Sequence, residues 1–497
     1  MPANAYAVEP IEALISDADP DGTLAPCGLR RLVIGPEALA AVTATVDELL
    51  GQSRQDATRP SVLLLVDRTL ISRRGEDVKA LVETRLAERF DVVRTVLDDG
   101  HAELHVVDSV MDEAARAAEG RAAVVAVGGG TISDIAKVAV QRAGEGAVPP
   151  VLVTVQTAAS VDGFTDDVSV VLRDGVKRTV PSCWPDAVVA DTGVIAEAPD
   201  SMNRAGFGEM TSMLVAPADW RLASLVGTDT TFKPNAVRLL GTVGEDLESW
   251  APGVREGEAG AVASLARALA LRGIVTGVAG TTAVLSGVEH LISHMLDQYH
   301  TENGLPMGLH GAQVGAGAVI AASAWEMLFD RLDGGAAPQL SEAALDRDEA
   351  RRRVLAAFER VDPSLRVADE CWKDYSAKLA AIEANRDRVQ ALVEGWAEHR
   401  EELRGLLRPA ASIARALRDA GSAATPADLD PSVDSGLARW AVENCALMRN
   451  RFTVVDLLTV LGWWTPADVD EVLGRAAGAA RAASAAQAVP AAESRKD

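Results

Sequence analysis

A β-branched apolar run over residues 122–127 ends in three consecutive glycines, Gly128, Gly129 and Gly130, and a helical pattern begins at once in Thr131-Ile-Ser-Asp134-Ile-Ala-Lys137. That order confines the segment to a strand, a tight turn and a helix. A strand feeding straight into a helix is half of a βαβ unit, and it commits its neighbours to a parallel sheet. Glycines also let the backbone approach an anion, which the amides of the first helical turn then hold. The segment therefore reads as a phosphate-binding turn. It is not a G-x-G-x-x-G sequence, and no Gly-Lys-Ser/Thr follows as a Walker sequence would require.

The flanking chain agrees. Residues 61–66 (Ser-Val-Leu-Leu-Leu-Val) predict a buried strand, 76–90 a helix, 91–97 a strand, 110–118 a helix and 150–155 a further strand. Over residues 29–200 this predicts a Rossmann-like α/β domain with a parallel sheet. Its ligand is expected outside the carboxyl ends of the strands, where Gly128 falls. Asp67 ends the first strong strand and is positioned to accept from an adenosine ribose, which favours NAD over NADP. Beyond residue 200 the chain turns Ala- and Leu-rich with a 3.6-residue period, predicting an all-α domain over 201–475. Residues 1–28 are acidic and aperiodic and read as a loose arm. Residues 330–350 read as a flexible connection and 476–497 as a disordered tail. No internal repeat is visible.

A chain of 497 residues suits two domains, and its net charge of −24 excludes a nucleic-acid partner or an anionic membrane surface. No run reaches the ~18–20 uninterrupted apolar residues of a membrane span. The opening residues have neither the basic start nor the apolar core of a signal peptide. The four cysteines, Cys27, Cys183, Cys371 and Cys445, are dispersed and form no Cys-x-x-Cys pair. A cytoplasmic location with reduced thiols is the expectation.

Four of the seven histidines lie between His290 and His310. His290 and His294 are four residues apart and share a face if helical. His310 follows a break at Gly304, Pro306 and Gly308 that lets it turn back towards them. Two imidazoles on separate elements plus one oxygen donor make a catalytic divalent-metal site with an open position. His300 reads as a loop residue without a role.

Taken together, these features resemble the glycerol-1-phosphate dehydrogenases, a branch of the group that includes glycerol dehydrogenase, iron-type alcohol dehydrogenases and dehydroquinate synthase. The resemblance spans roughly residues 29–473. It is carried by Gly128-Gly-Gly-Thr-Ile-Ser-Asp-Ile-Ala-Lys137, by Gln156-Thr-Ala-Ala-Ser-Val-Asp-Gly-Phe164 and by Asp174-Gly-Val-Lys-Arg-Thr-Val-Pro181 with Ala187-Val-Val-Ala-Asp191. Arg204-Ala-Gly-Phe-Gly-Glu209, Ala218-Asp-Trp-Arg221, the histidine segment and Met448-Arg-Asn-Arg-Phe-Thr-Val454 complete it.

The resemblance implies that Gly129, Gly130, Thr131 and the helix start, Ile132, Ser133 and Asp134, hold the phosphates of NAD or NADP. It implies that Thr157 and Ser160 meet the nicotinamide end and that Asp166 stands near the cofactor where a serine is usual. Asp162 and His294 would touch substrate, and His290 and His310 would hold one divalent ion, zinc first with nickel or iron as alternatives. Glu209 stands where the family's third ligand is an aspartate, so it would serve as metal and substrate contact with one more methylene, about 1.5 Å. Met213 stands where relatives carry lysine.

The implied function is reduction of dihydroxyacetone phosphate, or a related phosphorylated hydroxyketone, to sn-glycerol 1-phosphate. His294 would bind a substrate hydroxyl or relay a proton, and Lys177 or Lys137 would hold the phosphate. Two alternatives stay open: a sugar-phosphate cyclase of the dehydroquinate synthase type, and a nucleotide-binding homologue that has lost catalysis. Homo-oligomerisation is left open.

Overall fold

The computed structural model describes residues 6–51, 59–101, 103–173, 176–244, 246–336 and 339–488. The chain divides into two compact units. The first takes residues 1–206, 238–245 and 253–280, and the second takes 207–237, 246–252 and 281–497. The domain change expected at residue 200 is thus later, and the Ala259–Ala279 helix returns to the first unit. From Ala268 to Ala279 that helix is buried all round. Such a pattern reveals a helix but not the body it packs into.

The strands are β1 (Ala7–Val8), β2 (Arg31–Gly35), β3 (Ser61–Val66), β4 (Ser72–Arg73), β5 (Glu76–Asp77), β6 (Asp91–Val96), β7 (Ala123–Gly128), β8 (Val151–Gln156), β9 (Val168–Arg173), β10 (Val176–Pro181) and β11 (Ala187–Asp191). Seven of them form the main sheet, in the order β1-β2-β11-β8-β7-β3-β6. All neighbours pair in parallel except β1, which runs antiparallel to β2 with Ala7 opposite Ile34.

The arm expected over residues 1–28 is therefore partly ordered, as an edge strand followed by the helix Ile11–Ala18. The helix expected over 76–90 is shortened to Val78–Ala87 by the small β4–β5 hairpin ahead of it. Both faces of the sheet are covered. Val62, Leu64 and Val66 of β3 enter one apolar cluster, and Leu63 and Leu65 enter the other. This two-sided burial is why parallel strands read as continuous apolar runs.

Strand order reverses between β3 and β7, because β6 lies on one side of β3 and β7 on the other. Asp67 follows β3, and Gly128 closes β7 with Gly129 and Gly130 leading into the next helix, so both flank the crevice where such sheets bind ligands.

The second unit is helical. Its longest elements are His310–Asp333 and Pro466–Ala488, with Val288–Glu302 ahead of them. The connection expected over 330–350 is largely helical: the first of these helices runs to Asp333, and Glu342–Leu345 and Arg347–Glu359 follow. The end expected to be disordered from residue 476 continues as helix to Ala488, while 489–497 lie outside the described residues. Ala259–Ala279 and His310–Asp333 are long and apolar enough to cross a membrane by length and composition, although 83% and 89% of their apolar windows are buried inside the protein.

Candidate active site

Three side chains converge in the helical unit. Glu209 lies near the end of the Asp200–Met210 helix, His290 in the first turn of Val288–Glu302, and His310 opens His310–Asp333. The first and third elements meet through glycine. A Cβ on Gly208 would sit 2.3 Å from the carbonyl oxygen of Gly311, so only glycine allows this crossing. The residues beside these two glycines are Glu209 and His310.

Asp219 fixes the second element. Its two carboxylate oxygens accept from the amides of Val288 and Val454, at 3.0 and 2.9 Å. Burial, with Glu289 nearby, pushes this carboxyl up to about 8.

The Nε2 atoms of both histidines face the same carboxylate. His290 Nε2 is 3.4 Å from Glu209 Oε1, and His310 Nε2 is 3.8 Å from Glu209 Oε2. Their Nδ1 atoms are engaged elsewhere, at 2.9 Å from Glu289 Oε1 for His290 and 2.9 Å from Ser293 Oγ for His310. Ser293 gives its own hydrogen to Gln313 Oε1 at 2.7 Å, so its oxygen accepts from His310 Nδ1–H. Glu289, which is fully buried, accepts from His290 Nδ1–H in the same way. Each ring is thereby held in the tautomer that leaves a lone pair on Nε2.

Two Nε2 atoms and a carboxylate that face one another offer three donors to a cation. Ligand atoms of the three residues lie within 4.8 Å of one another, so they fit a divalent ion. A proton fills the same place. Burial would lower the His290 imidazole, but Glu209 and Glu289 beside it push it up to about 9.

His294 extends the group. Its ring centre lies 5.7 Å from that of His310 and 6.2 Å from that of His290. With Asp297 and His310 it makes a second potential ligand set. Met213, where the family carries lysine, is buried in the short turn Thr211–Leu214. His300 proves to be a buried residue in the last turn of Val288–Glu302, not a loop residue.

In the α/β unit the glycine turn has the expected form. Gly129 caps the Gly130–Ala143 helix, and Ser133 N already donates to Gly129 O at 3.2 Å. The amides of Gly130, Thr131 and Ile132 precede that bond and are oriented to hold an anion. A Cβ on Gly128 would press on Ile132 at 2.8 Å, and one on Gly130 on Val161 at 2.9 Å. One on Gly129 would meet nothing within 4 Å. Thr157 is buried beside this turn and gives its amide to Gly128 O, while Ser160 is half-buried.

The loop after β8 is braced from behind. Thr165 Oγ donates to Ala270 O at 2.6 Å, and the fully buried Arg272 lies 3.3 Å from Asp162 Oδ2.

Four expected contacts require correction. Lys137 is wholly enclosed and donates to Gly163 O and Asp166 Oδ1, at 2.8 and 2.6 Å, and to Val168 O. It is an internal tie and not a phosphate ligand. Asp166 is turned inward onto that lysine. The carboxylate of Asp134 faces β9, 3.2 Å from Val170 N and 3.5 Å from Lys137, so only the backbone there faces the turn. Asp67 is engaged by Lys79 and by the amide and hydroxyl of Thr69. Lys177 lies on the β9–β10 hairpin opposite Leu172.

Residues 34–199 match the iron-containing alcohol dehydrogenase family model. The chain is 30% identical over 327 residues to glycerol-1-phosphate dehydrogenase [NAD(P)+] of Haloquadratum walsbyi, covering 64% of this chain and 86% of that one. It is 32% identical over 324 residues to the enzyme of the same name from Aeropyrum pernix, covering 63% and 86%. The chain belongs to the glycerol-1-phosphate dehydrogenase family. It is an oxidoreductase of the alcohol dehydrogenase type.

The family fold is also that of solved structures. Iron-containing alcohol dehydrogenase from Thermococcus thioreducens superposes with a TM-score of 0.53 at 14% identity, covering 92% of this chain and 99% of that one. Glycerol dehydrogenase from Schizosaccharomyces pombe gives 0.50 at 14% identity, covering 86% and 85%.

Glu289, Ser293, Gln313, Asp219 and Arg272 were not legible as site residues in the sequence. The one available signal was the Glu289-His290 adjacency, a carboxylate placed to orient the neighbouring ring.

Proposed function

We propose that the protein is a metal-dependent NAD(P)-linked dehydrogenase that interconverts dihydroxyacetone phosphate and sn-glycerol 1-phosphate. The observation that carries this reading is the convergence of two oriented Nε2 lone pairs on the buried Glu209 carboxylate, within a chain of this family.

Glu209, His290 and His310 would hold the divalent ion, which when bound supplies a Lewis acid for the substrate's carbonyl and hydroxyl oxygens. NAD(P) would supply or take the hydride, with its phosphates on the amides of Gly130, Thr131 and Ile132. The remaining chemistry belongs to side chains. Reduction of a ketone leaves its oxygen short of one proton, and His294 is the imidazole beside the ligand set that would deliver it. In the reverse direction His294 would take that proton back. Asp162, held by Arg272, would fix a substrate hydroxyl. Glu289 and Ser293 would keep His290 and His310 in their ligating tautomers. With Lys137 enclosed, Lys177 would be the lysine to meet the phosphate.

The extra methylene of Glu209 is compatible with this arrangement, because its two oxygens face the two Nε2 atoms separately. The test is NADH oxidation with dihydroxyacetone phosphate, on protein stripped of metal and resupplied with zinc or nickel, beside Glu209→Asp. Metal-dependent turnover in the parent supports the reading. Turnover in Glu209→Asp alone would mean that the site has been retuned for another phosphorylated ketone. Silence in both overturns it.

A further inference from the structure

A second group of potential ligands lies in the α/β unit, on the loop between β6 and the Asp108–Ala118 helix. The Asp99 carboxylate is 8% exposed although it sits on a surface loop. Its Oδ1 accepts from His101 N at 3.1 Å, and its Oδ2 accepts from His105 N at 3.0 Å and from His105 Nδ1 at 2.7 Å. The rings of His101 and His105 meet edge to face, with centres 5.1 Å apart. Ligand atoms of all three residues lie within 4.8 Å of one another.

The neighbouring Asp98 is paired with Arg68, so its charge is already answered. The three residues form part of the wall of an open cavity of about 570 Å³, with Ser109 and Glu113 also among its lining residues.

We propose that Asp99, His101 and His105 bind a second divalent cation of the zinc class, separate from the Glu209 site. Two imidazoles and one carboxylate are the donors that such borderline ions select. His105 Nδ1 and Asp99 Oδ2 face each other at 2.7 Å, so an ion that takes the place of the proton between them meets both donors at once. A zinc ion holds its ligands at ~2.0–2.2 Å in a tetrahedral array, so donors around it lie ~3.3–3.6 Å apart. His105 and Asp99 are already closer than that, and the exposed His101 side chain closes the remaining separation, at most 4.8 Å, by turning towards them. The remaining coordination position opens on the cavity. The bound ion ties Asp99, His101 and His105 to one another.

The test is zinc content after equilibrium dialysis of metal-stripped protein against micromolar zinc. Parent protein is compared with a His101→Ala/His105→Ala variant, both also in a Glu209→Gln background. The variant is expected to hold one equivalent of zinc fewer than its parent in either background, whatever the Glu209 site holds. Equal zinc contents in the parent and the His101→Ala/His105→Ala variant overturn the proposal. So does a Glu209→Gln protein from which that pair of substitutions removes nothing.

Discussion

Oε1 of Glu289 lies 2.9 Å from Nδ1 of the adjoining His290 and also accepts from Gly287 N at 2.7 Å, so one buried oxygen fixes both the helix start and the ring. A carboxylate in that position selects the tautomer with its lone pair on Nε2 and strengthens the ring as a ligand. Glu289→Gln retains the size but not the charge. Zinc affinity is expected to fall about 10- to 100-fold, as measured by competitive titration of metal-stripped protein. The His290 imidazole should also titrate lower, because one of the two carboxylates holding it up is gone. An unchanged zinc affinity would show that Glu289 only caps its helix.

Gly208 offers a geometric test of the same site. The Cβ of an alanine would stand 2.3 Å from Gly311 O and 3.0 Å from Gly311 C, so two backbones must separate. Overpacking of this kind costs about 1–3 kcal/mol. Because Glu209 and His310 adjoin these glycines, Gly208→Ala should lower both the melting temperature and the zinc affinity. A loss of stability with full zinc affinity would mean that the crossing does not set the ligand spacing.

Much of this was legible in the sequence. Buried parallel strands announce themselves as apolar runs, so β3 and β6 fall within a residue of expectation. The glycine turn and the histidine cluster were equally plain. Lys137 and Asp166 were not, because their pairing joins positions 29 residues apart. A helical lysine reads as solvated until a fold encloses it. Glu289 was hidden for a related reason: an acid in a first helical turn is common enough on dipole grounds alone. The Ala259–Ala279 helix was visible as a helix, but its apolar surface on every side gave no clue to its partner.

The glycine turn separates packing from ligand binding. Gly130 is constrained by Val161 at 2.9 Å, whereas a methyl on Gly129 would enter open space. If a dinucleotide phosphate occupies that space, Gly129→Ala should weaken NAD(P) binding roughly tenfold, about 1.4 kcal/mol, with the melting temperature of the cofactor-free protein unchanged. Gly130→Ala should lower the melting temperature as well. Fluorescence titration with NADH beside thermal unfolding checks both. Unaltered NADH and NADPH affinity in Gly129→Ala would move the phosphate away from this turn.

Lys137 serves two buried carboxylates, Asp166 at 2.6 Å and Asp134 at 3.5 Å. One cation cannot neutralise two anions in a dry interior, so the group retains a proton. Burial, opposed by Lys137 but reinforced by Asp162 and Asp134, pushes Asp166 up to about 7. The unfolded chain releases that proton near the ordinary aspartate value, ~3.9. Between about pH 4 and 7 the folded state therefore binds more protons than the unfolded state, and this group makes stability fall as pH rises. Asp166→Asn removes the titration while leaving Asp134 to pair with Lys137. Denaturant unfolding from pH 4.5 to 7.5 should give the variant a smaller loss of stability with rising pH than the parent, the slopes differing by up to one proton, ~1.4 kcal/mol per pH unit. Parallel slopes would mean that Asp166 is ionised throughout and that the retained proton sits elsewhere.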